Sequence, residues 1–526
     1  MKIRMTVFAA AIACFLMLPA AAYAQLRSPT YGWNLGNTME APGGEGTWAP
    51  PATQALINAV ANSGFNTVRI PVAWNSHANQ STYQIDAAWL ARVKQVVDWC
   101  YARNLTVIIN NHWDNGWLDN ALDGNVDASV NARMQSYWAQ IANTFAAYDS
   151  RLLFAGANEP PADNAAKMSE LMTYYQTFVN AVRATGGNNR TRWLVLPGPS
   201  TNIDQTYDLM NTLPNDPTPG RLIVEVHDYS PYQYTLMTAD ESWGKMFYFW
   251  GQGYRHPTRT DRNPTWGEES YIQAQYQKMK TKFVDQGVPV LLGEFGTGLR
   301  SGYSDLTGAD YNRHVASRTY WNKTLLDTAN SMGLRPVYWD NGYAGSNGFA
   351  LYDRNTAAVL DQASITSLTG GAAIPPPGGG GGIVANGTYR IMARHSGKAL
   401  EVASAGTANG SNVRQWAYNG GNHQRWTLTH LGNNQYSIVG VQSGKALDVS
   451  GWGGSNGTNV HIWTYGGGAN QKWTLTATRG GYYRLTPTHA TNMALDVNGV
   501  SSADGANAQI WTYGGGNNQQ WTFQVP

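Results

Sequence analysis

Charged residues are scarce in this chain of 526 residues, where Asp, Glu, Lys and Arg together make up 13%. The formal net charge is +2, from 36 basic and 34 acidic residues, and Lys2 and Arg4 account for the whole excess. The sequence that follows these two residues is therefore neutral overall. Because a neutral chain offers no basic surface to nucleic acid or to an anionic membrane, we expect neither as a partner.

Cysteine and long apolar runs are also scarce. The apolar run of residues 7–22 follows two basic residues and leads into an Ala-Tyr-Ala sequence. This pattern predicts a signal peptide of residues 1–24, cleaved after Ala24, and therefore a secreted, extracellular protein. Cleavage would remove Cys14 and leave Cys100 alone, so no internal disulfide is expected. No later apolar run is long enough to span a membrane.

Aromatic residues, in contrast, are abundant. They make up 12% of the chain, with 21 Trp and 29 Tyr. Many aromatic rings combined with little charge suit neutral, ring-shaped ligands such as sugars, which stack on aromatic faces. A large aromatic core would give the same count, so composition alone leaves both interpretations open.

Strand-like and helix-like patterns alternate between residues 30 and 370. Eight apolar strand candidates separated by amphipathic stretches predict an α/β fold of the (β/α)8 barrel type. A doubly wound open sheet is the alternative, but no Gly-x-Gly-x-x-Gly sequence follows the first strand. The predicted strands are Gly32–Leu35, Thr67–Ile70, Thr106–Asn110, Leu152–Ala157, Trp193–Leu196, Leu222–Val226, Val288–Leu292 and Pro336–Trp339; the predicted helical stretches include Ala87–Arg103, Ala128–Tyr148, Met168–Arg183, Tyr271–Gln286 and Tyr311–Met332.

A linker and three sequence repeats follow. Three prolines and then five glycines lie within residues 372–383, which predicts a semi-flexible linker between a barrel domain (25–371) and a C-terminal domain (384–526). In the C-terminal domain an Ala-Leu-acid-Val sequence recurs at periods of 47 and 48 residues. A Trp comes 15 residues after each acid, and a Gln-x-Trp sequence ends ten residues later. Three such copies predict a closed, threefold all-β structure.

Two glutamates occupy the same place relative to two predicted strands. Glu159 follows the apolar stretch Leu152–Ala157, and Glu294 follows Val288–Leu292. The carboxyl ends of barrel strands meet at one face of the barrel, where such folds place their chemistry. One glutamate alone would be interpreted as a loop residue before a turn. Two of them can face each other across a cleft, and paired carboxylates carry out glycoside hydrolysis.

Other polar and aromatic residues share this position at strand ends. Taken singly, each has a structural explanation; one histidine is more often a hydrogen-bonded core residue than a catalytic one. Their repetition at matching ends of one barrel is difficult to ascribe to stability. They are Arg69, His112 and Trp113, Asn158, His227 and Tyr229, and Trp339.

Residues 31–371 resemble glycoside hydrolase family 5, the barrel family of endoglucanases and mannanases. The phrases that carry the resemblance are Gly32-Trp33-Asn34-Leu35-Gly36-Asn37, Phe65-Asn66-Thr67-Val68-Arg69-Ile70-Pro71, Asn111-His112-Trp113, Asn158-Glu159-Pro160, His227-Asp228-Tyr229 and Gly293-Glu294-Phe295-Gly296. The resemblance implies a retaining mechanism with Glu159 as proton donor (acid/base), Glu294 as nucleophile, and neither a metal nor an organic cofactor. The surrounding residues that it implies are Asn34, Arg69, His112, Trp113, Asn158, His227, Tyr229 and Trp339.

The implied roles have a physical basis. At about 5 Å and an effective dielectric of about 20, two carboxylates would repel by roughly 3 kcal/mol, which is roughly two pKa units. One carboxyl should therefore stay protonated near neutrality, and the resemblance assigns this state to Glu159. Arg69 and Tyr229 would favour the ionised form of Glu294. Asn158 would bind the 2-hydroxyl of the sugar, and Trp339 would lie beneath the reacting ring.

Further subsites are expected along the cleft. The long connection of residues 230–266, with Trp243, Tyr248, Trp250 and Tyr254, is interpreted as a cleft wall on the leaving-group side, because long loops at the active face of a barrel are usually functional. Trp117 is an addition to the family pattern that would alter a subsite. The tryptophans considered for further subsites are Trp33, Trp48, Trp74, Trp113 and Trp117.

The repeats of residues 384–526 resemble the ricin-type β-trefoil, carbohydrate-binding module family 13. This resemblance implies that each acid accepts hydrogen bonds from sugar hydroxyls, that the Trp 15 residues later stacks on the sugar ring, and that an Asn-Gln pair steadies both. In each Gln-x-Trp, the glutamine and tryptophan are expected to build the trefoil core. The implied sugar-binding residues are Asp448, Trp463, Asn470 and Gln471 in the second repeat, and Asp496, Trp511, Asn518 and Gln519 in the third; the first has Glu401 and His423 in place of Asp and Asn.

The sequence therefore predicts a secreted endo-β-1,4-glucanase, expected to be a monomer, whose substrate is a β-glucan polysaccharide and whose trefoil binds plant cell-wall polysaccharide. Mixed-linkage glucan, xyloglucan and β-mannan remain alternative substrates. An inactive barrel that carries a lectin is an alternative of another class, although both glutamates and their neighbours are present.

Overall fold

The computed structural model describes residues 26, 28–371, 373–374, 387–432, 435–478 and 482–524. The predicted signal peptide lies outside the described residues, and so does most of the predicted linker. Among the described residues, no helix is long and apolar enough to cross a membrane.

Eight parallel strands close into a barrel, with the first strand paired to both the second and the eighth. Nearly every strand residue is buried, because the side chains point either into the barrel or against the surrounding helices. The predicted (β/α)8 barrel is thereby confirmed. The strands are β1 (Gly32–Leu35), β2 (Thr67–Ile70), β3 (Thr106–Asn110), β4 (Leu152–Ala155), β5 (Leu194–Pro197), β6 (Leu222–Asp228), β7 (Val290–Phe295) and β8 (Leu334–Asp340).

Helices surround the barrel, and their start points follow from capping side chains. Asp86, Asp127 and Asn164 each accept a hydrogen bond from a backbone N–H in the first turn of the helix that follows. Apolar residues on one face of each long helix then pack against the strands. The helices are α1 (Gln54–Asn62), α2 (Ala87–Ala102), α3 (Ala128–Thr144), α4 (Ala165–Ala184), α5 (Ile203–Leu209), α6 (Tyr232–Thr235), α7 (Glu269–Lys282), α8 (Gly308–Ser331) and α9 (Gln362–Leu368).

The C-terminal region is an all-β structure with threefold repetition. Six strands pair in the closed order β9–β12–β13–β16–β17–β20, and β20 returns to β9. Three hairpins, β10–β11, β14–β15 and β18–β19, complete the repeats. The strands are β9 (Gly387–Ala393), β10 (Ala399–Val402), β11 (Val413–Trp416), β12 (Trp426–His430), β13 (Gln435–Gly440), β14 (Ala446–Val449), β15 (Thr458–Trp463), β16 (Trp473–Ala477), β17 (Tyr483–Pro487), β18 (Met493–Val497), β19 (Ala508–Thr512) and β20 (Trp521–Gln524).

Two sets of equivalent residues hold the three repeats together. Asn412, Asn459 and Asn507 form a closed ring in which each amide nitrogen donates to the next amide oxygen at 2.8 or 2.9 Å. The tryptophans that end the three Gln-x-Trp sequences are fully buried, and each indole donates at 2.9 or 3.0 Å to the carbonyl before a repeat's acid. These tryptophans lie in the trefoil core, as the sequence predicts.

Candidate active site

The two glutamates singled out in the sequence lie together at the carboxyl ends of the barrel strands. Glu159 lies four residues beyond the end of β4, and Glu294 is on β7, which extends to Phe295. A carboxylate oxygen of Glu159 and one of Glu294 lie within 4.8 Å of each other. The barrel therefore places a pair of carboxyl groups at one open face.

Glu294 is a buried carboxylate surrounded by donors. Nη1 of Arg69 donates to its Oε1 at 2.9 Å, and the Tyr229 hydroxyl donates to its Oε2 at 3.0 Å. Burial and the charge of Glu159 raise the pKa of Glu294; the charges of His227 and Arg69 and the Tyr229 hydroxyl oppose this rise, but the net pKa lies above the usual value. The donors thus favour the ionised form that a nucleophile needs, while burial acts against it, so the directions of the pKa shifts of Glu294 and Glu159 are opposite to those expected from the sequence.

Arg69, on β2, joins several of the predicted residues through one guanidinium group. It donates to Oδ1 of Asn34 at 3.0 Å and to Oδ1 of Asn158 at 2.7 Å, in addition to Glu294. Asn110 also contacts Oδ1 of Asn158, at 3.4 Å. Because Oδ1 of Asn158 accepts these bonds, its amide nitrogen is the group left for a ligand.

Glu159 is the more accessible carboxylate, with its side chain 44% exposed to the cleft. Nδ1 of His227 lies 2.6 Å from its Oε1, and the Thr201 hydroxyl donates to the same oxygen at 3.2 Å. Burial by the surrounding protein raises the pKa of Glu159, but the hydrogen bond and charge of His227 oppose this, and the net pKa lies below the usual value. Here the structure differs from the sequence-based expectation, because in the unliganded protein the shared proton resides on His227.

Glu225 is a site residue that sequence reasoning missed. Its carboxylate Oε1 lies 3.1 Å from Nε of Arg69 and 3.2 Å from Nε2 of His227, and the side chain is fully buried. A Cβ atom on Gly293 would lie 1.9 Å from the same oxygen, so glycine at that position makes room for the carboxylate. The sequence did contain a signal that could have identified it, since Glu225 is the one charged residue in the predicted strand Leu222–Val226.

The charge on His227 follows from the three carboxylates around it. Burial lowers its pKa, but Glu294, Glu159 and Glu225 raise it, and the net pKa is about 9. His227 therefore carries a proton at neutral pH. Its ring bridges Glu225 on one side and Glu159 on the other.

His112 and Trp339 form another side of the site. Their rings lie nearly parallel, with centroids 6.0 Å apart and an interplanar angle of 9°. The pKa of His112 lies well below its ordinary value because of burial and the charges of Arg69 and His227. His112 is therefore neutral, and Nδ2 of Asn110 lies 3.1 Å from its Nδ1.

The tryptophans considered for further subsites divide into two groups. Trp33 and Trp74 are fully buried and Trp117 is 9% exposed, so these three serve packing. Trp48 and Trp113 are exposed and remain available to a ligand.

The aromatic residues of the long connection, residues 230–266, also fall into a buried and an exposed group. Tyr248, Trp250 and Tyr254 are buried in it, whereas Trp243 is 62% exposed. Its exposed rings include Tyr232, which contacts Trp243 with centroids 6.1 Å apart. Most of the aromatic residues in this segment therefore stabilise the connection itself.

A cavity of about 260 Å³ opens beside Glu159. Tyr232 and Trp266 line it together with Thr201 and Asn202, and Trp266 donates to Oε1 of Gln233 at 3.1 Å. The cavity lies on the Glu159 side of the pair, which is the side of the leaving group if Glu159 is the proton donor.

Within the described residues, Glu159, His227 and Glu294 form a group whose oxygen and nitrogen atoms are close enough to hold a metal ion. Hydrogen bonds already engage both carboxylates. His227, with a pKa of about 9, carries a proton at neutral pH. The 2.6 Å contact between His227 and Glu159 suits this group to proton transfer.

The second and third trefoil repeats present similar pockets. Asp448 Oδ2 accepts from Asn470 at 3.0 Å, and Asp496 Oδ2 accepts from Asn518 at 2.7 Å. The acids and amides are buried, while Trp463 and Trp511 are 44% and 43% exposed. Gln471 and Gln519 bind backbone groups of the adjoining loops instead: each accepts from a glycine N–H and donates to a threonine carbonyl.

The first repeat is built differently. Glu401 accepts from Nε of Arg414 at 2.9 Å and from Nε2 of Gln424 at 3.0 Å, and His423 lies 3.5 Å away. The Arg414 guanidinium also lies over the Trp416 ring, 4.2 Å from its centroid. Arg414 therefore covers one face of the Trp416 ring with a charged group, whereas in the second repeat the imidazole of His461 stacks on Trp463 with centroids 5.5 Å apart.

Comparison with known protein families gives two matches. The profile of the cellulase family, glycosyl hydrolase family 5, matches residues 34–345. The profile of the ricin-type beta-trefoil lectin domain-like family matches residues 382–463 and 469–526.

Individual relatives match the barrel. Endoglucanase A of Paenibacillus barcinonensis is 37% identical over 366 residues, which cover 65% of this chain and 87% of that protein. A xyloglucan-specific endo-beta-1,4-glucanase of Bacteroides ovatus is 35% identical over 358 residues, 65% of this chain and 68% of that protein. The crystal structure of a xyloglucan-specific beta-1,4-glucanase from a ruminal metagenomic library, with 38% identity and a TM-score of 0.59, covers 65% of this chain and 93% of that chain.

Proposed function

Because the chain belongs to glycosyl hydrolase family 5, and is thus a glycoside hydrolase of the endoglucanase type, we propose that its barrel cleaves internal β-1,4 bonds of β-glucan with retention of anomeric configuration. The observation that carries the proposal is the approach of Glu159 and Glu294 to within 4.8 Å. Retaining enzymes hold their carboxyl groups about 5–5.5 Å apart, whereas inverting enzymes hold them about 6.5–9.5 Å apart to admit a water molecule.

In the first step, a carboxylate oxygen of Glu294 attacks the anomeric carbon and the bond to the leaving oxygen breaks. Glu159 donates a proton to that oxygen, so the shortened chain departs as an alcohol. His227 supplies the proton to Glu159 across their 2.6 Å contact. A substrate that displaces solvent from Glu159 disfavours its ionised form and moves the shared proton onto it.

In the second step, water enters the place of the leaving group. Glu159, now ionised, removes a proton from the water as the water oxygen attacks the anomeric carbon. The bond to Glu294 breaks, and the sugar leaves with its original β configuration. The proton returns to the pair formed by Glu159 and His227.

Arg69 and Asn158 position the groups that contact the sugar attached to Glu294. Arg69 favours the ionised form of Glu294 and fixes the amide of Asn158 through Oδ1. The amide nitrogen of Asn158 then donates to the 2-hydroxyl, a contact that strengthens in the transition state. Trp339, parallel to His112, provides an apolar face beneath the reacting ring.

The substrate proposed first is unbranched β-1,4-glucan or mixed-linkage glucan, which we expect to be cleaved faster than β-mannan. Xyloglucan is a second candidate, favoured by the relatives from Bacteroides ovatus and the ruminal library, whose names specify xyloglucan. Initial rates and product profiles on carboxymethylcellulose, lichenan, xyloglucan and mannan decide between them. Fastest cleavage of mannan would contradict the glucanase proposal but not the proposed retaining mechanism of the barrel.

We also propose that the trefoil binds plant cell-wall polysaccharide through its second and third repeats, and that the protein is a secreted monomer. The exposed Trp463 and Trp511 beside buried acids support the binding proposal. N-terminal sequencing of protein from the culture medium tests cleavage after Ala24, and sedimentation analysis tests the monomer.

A further inference from the structure

The turn that follows each acid of the trefoil requires an unusual backbone conformation. The fourth residue after the acid is Ala405, Trp452 or Val500, with φ of 54°, 58° and 54°. Glycine or asparagine is the usual choice for this left-handed region, and a bulky side chain there is strained. Trp452 thus occupies a position that folding alone would assign to a small residue, and strained residues of this kind cluster at ligand sites.

The Trp452 ring is exposed but held in place. It is 57% exposed to solvent, and it packs edge-to-face on His489 with centroids 5.8 Å apart. A Cβ atom on Gly468 would lie 2.9 Å from Cζ2 of the ring, so the ring edge rests where only glycine leaves room. A fixed aromatic face open to solvent is a surface on which a sugar can stack.

Trp452 and Trp463 each contact a segment that supplies a hydrogen-bond partner to the same carboxylate. Oδ1 of Asp448 lies 3.0 Å from Nε2 of His461, whose ring stacks against Trp463 at 5.5 Å. Oδ2 of Asp448 accepts from Asn470, the second residue after the glycine that Trp452 contacts. The carboxylate therefore has one exposed tryptophan beside each of its two oxygen partners.

The other two repeats lack this arrangement. Ala405 in the first repeat has no ring, and Val500 in the third, 60% exposed, offers a small aliphatic group at the same turn. The second repeat is thus the one described repeat with two aromatic faces next to its acid.

We propose that Trp452 adds a second stacking face to the second repeat, so that this site binds two consecutive sugar residues of one neutral polysaccharide chain. The third repeat, with Trp511 alone, binds one sugar residue. This inference rests on the proposed binding of polysaccharide by the trefoil. It assigns to the second repeat the ability to distinguish a chain from a free monosaccharide.

The test uses the full-length chain with Glu294→Ala, which prevents hydrolysis. Asp496→Ala isolates the second repeat, Asp448→Ala isolates the third, and the chain with both changes reports binding by the barrel alone. Each protein is titrated calorimetrically with glucose, xylose and galactose and with the corresponding β-1,4-linked tetrasaccharides. Thermal unfolding of each variant is followed in parallel.

In the chain with the second repeat alone, Trp452→Gly should lower tetrasaccharide affinity about tenfold and change monosaccharide affinity less than twofold. Trp452→Tyr should keep most of the affinity, because it keeps an aromatic face. Val500→Gly, in the chain with the third repeat alone, should change neither affinity. The midpoint of thermal unfolding should not fall in Trp452→Gly, since glycine suits the left-handed turn.

Equal tetrasaccharide affinity with and without the Trp452 ring would overturn the inference, and so would a parallel loss of monosaccharide binding. If the parent chain binds every probe no better than the chain that lacks both aspartates, the trefoil does not bind these sugars. That result would reject the proposed binding function itself and this inference with it.

Discussion

At the scale of single residues, the two carboxylates have different hydrogen-bond partners. Glu294 contacts Arg69 and Tyr229, while Glu159 contacts His227 and Thr201. We expect Glu294→Ala and Glu159→Ala each to lose most turnover on polysaccharide while the fold is retained, as judged by circular dichroism and kinetics. The reason is that either change removes one of the two groups that a double displacement requires.

Azide distinguishes the two variants. With Glu159→Ala and an activated aryl glycoside, the first step needs little acid assistance, and azide should restore part of the turnover and yield a β-glycosyl azide. With Glu294→Ala no covalent intermediate of that kind can form. An inverted product from the unaltered protein, seen by NMR of the first-formed anomer, would reject the retaining assignment.

We expect Glu225, which is fully buried, to act on the reaction through its contact with His227. The charged and titratable groups around His227 are Glu159, Glu225, Glu294 and Arg69, with His112 nearby. Glu225→Gln removes one of the carboxylates that raise the pKa of His227 to about 9. The pair of His227 and Glu159 should then lose its proton at lower pH, so the alkaline limb of kcat/KM should move down by about 1–2 pH units.

Glu170→Gln provides the matched control for this prediction. Glu170, on α4, is also a buried glutamate, but its partners are the backbone N–H of Gly124 in the loop before α3 and the hydroxyl of Tyr174 on α4. It should change stability without moving the alkaline limb. An unchanged pH profile in Glu225→Gln would show that Glu225 only fills space beside Gly293.

At the scale of elements, the sequence predicts every barrel strand but not where the functional strands end. The predicted strands stop at Val226 and Leu292, whereas β6 and β7 continue to Asp228 and Phe295. Polar residues such as His227 and Glu294 resemble loop residues in a sequence. They can belong to strands because each finds charged or hydrogen-bonding partners among buried polar residues of the barrel, and most of these partners are distant in sequence and leave no local pattern.

The connection after β6 depends on one buried arginine. Arg300, 1% exposed, donates to the carbonyls of Gln233, Tyr234, Met237 and Phe247 at 2.7–3.2 Å. No carboxylate is among these partners, and burial lowers the pKa of Arg300. The guanidinium therefore holds the connection of residues 230–266 in place through the backbone carbonyls of that segment.

Arg300→Met should leave these carbonyls unpaired and lower the free energy of unfolding by at least about 2 kcal/mol. It should also raise KM for polysaccharide several-fold, because the segment that presents Tyr232 and Trp243 is no longer fixed. Turnover of an aryl glycoside with a small leaving group should change less. Unfolding in denaturant and the two sets of kinetics measure these effects.

Arg192→Met is the control for that prediction. Arg192 is equally buried and also donates to backbone carbonyls, among them Phe145 and Leu152, but it lies at the start of the strands, away from the site. It should lower stability and leave KM unchanged. Equal changes in KM for both arginine variants would contradict a specific role for Arg300.

At the scale of the whole molecule, the repeats show what a sequence pattern can and cannot establish. The spacing of acids and tryptophans was sufficient to predict the threefold structure, and the Gln-x-Trp tryptophans lie in its core. The position of the Arg414 guanidinium over the Trp416 ring was not predictable from that spacing. It depends on the residue type two positions before the tryptophan and on the pairing of β10 with β11.

The number of working trefoil sites follows from this difference. In the first repeat Arg414 neutralises Glu401 and covers Trp416, so a sugar would have to displace a charged group from both partners. At the same position the second and third repeats carry His461 and Gln509, which contact the acid at 3.0 and 3.1 Å; His461 also stacks on Trp463, but neither residue places a guanidinium against the acid and the ring. Two working sites are expected, and two sites on one rigid domain raise the apparent affinity for a long chain.

In the full-length chain with Glu294→Ala, we expect Asp448→Ala and Asp496→Ala together to lower retention on insoluble cell-wall polysaccharide at least tenfold, whereas Glu401→Ala should change it little. Arg414→Gln, added to the chain that lacks both aspartates, should restore part of the binding, because it uncovers Trp416 and frees Glu401. Binding isotherms on the same polysaccharide measure each step. A greater loss from Glu401→Ala than from the two aspartate changes would show that the first repeat is the principal site, and that Arg414 moves aside for the sugar.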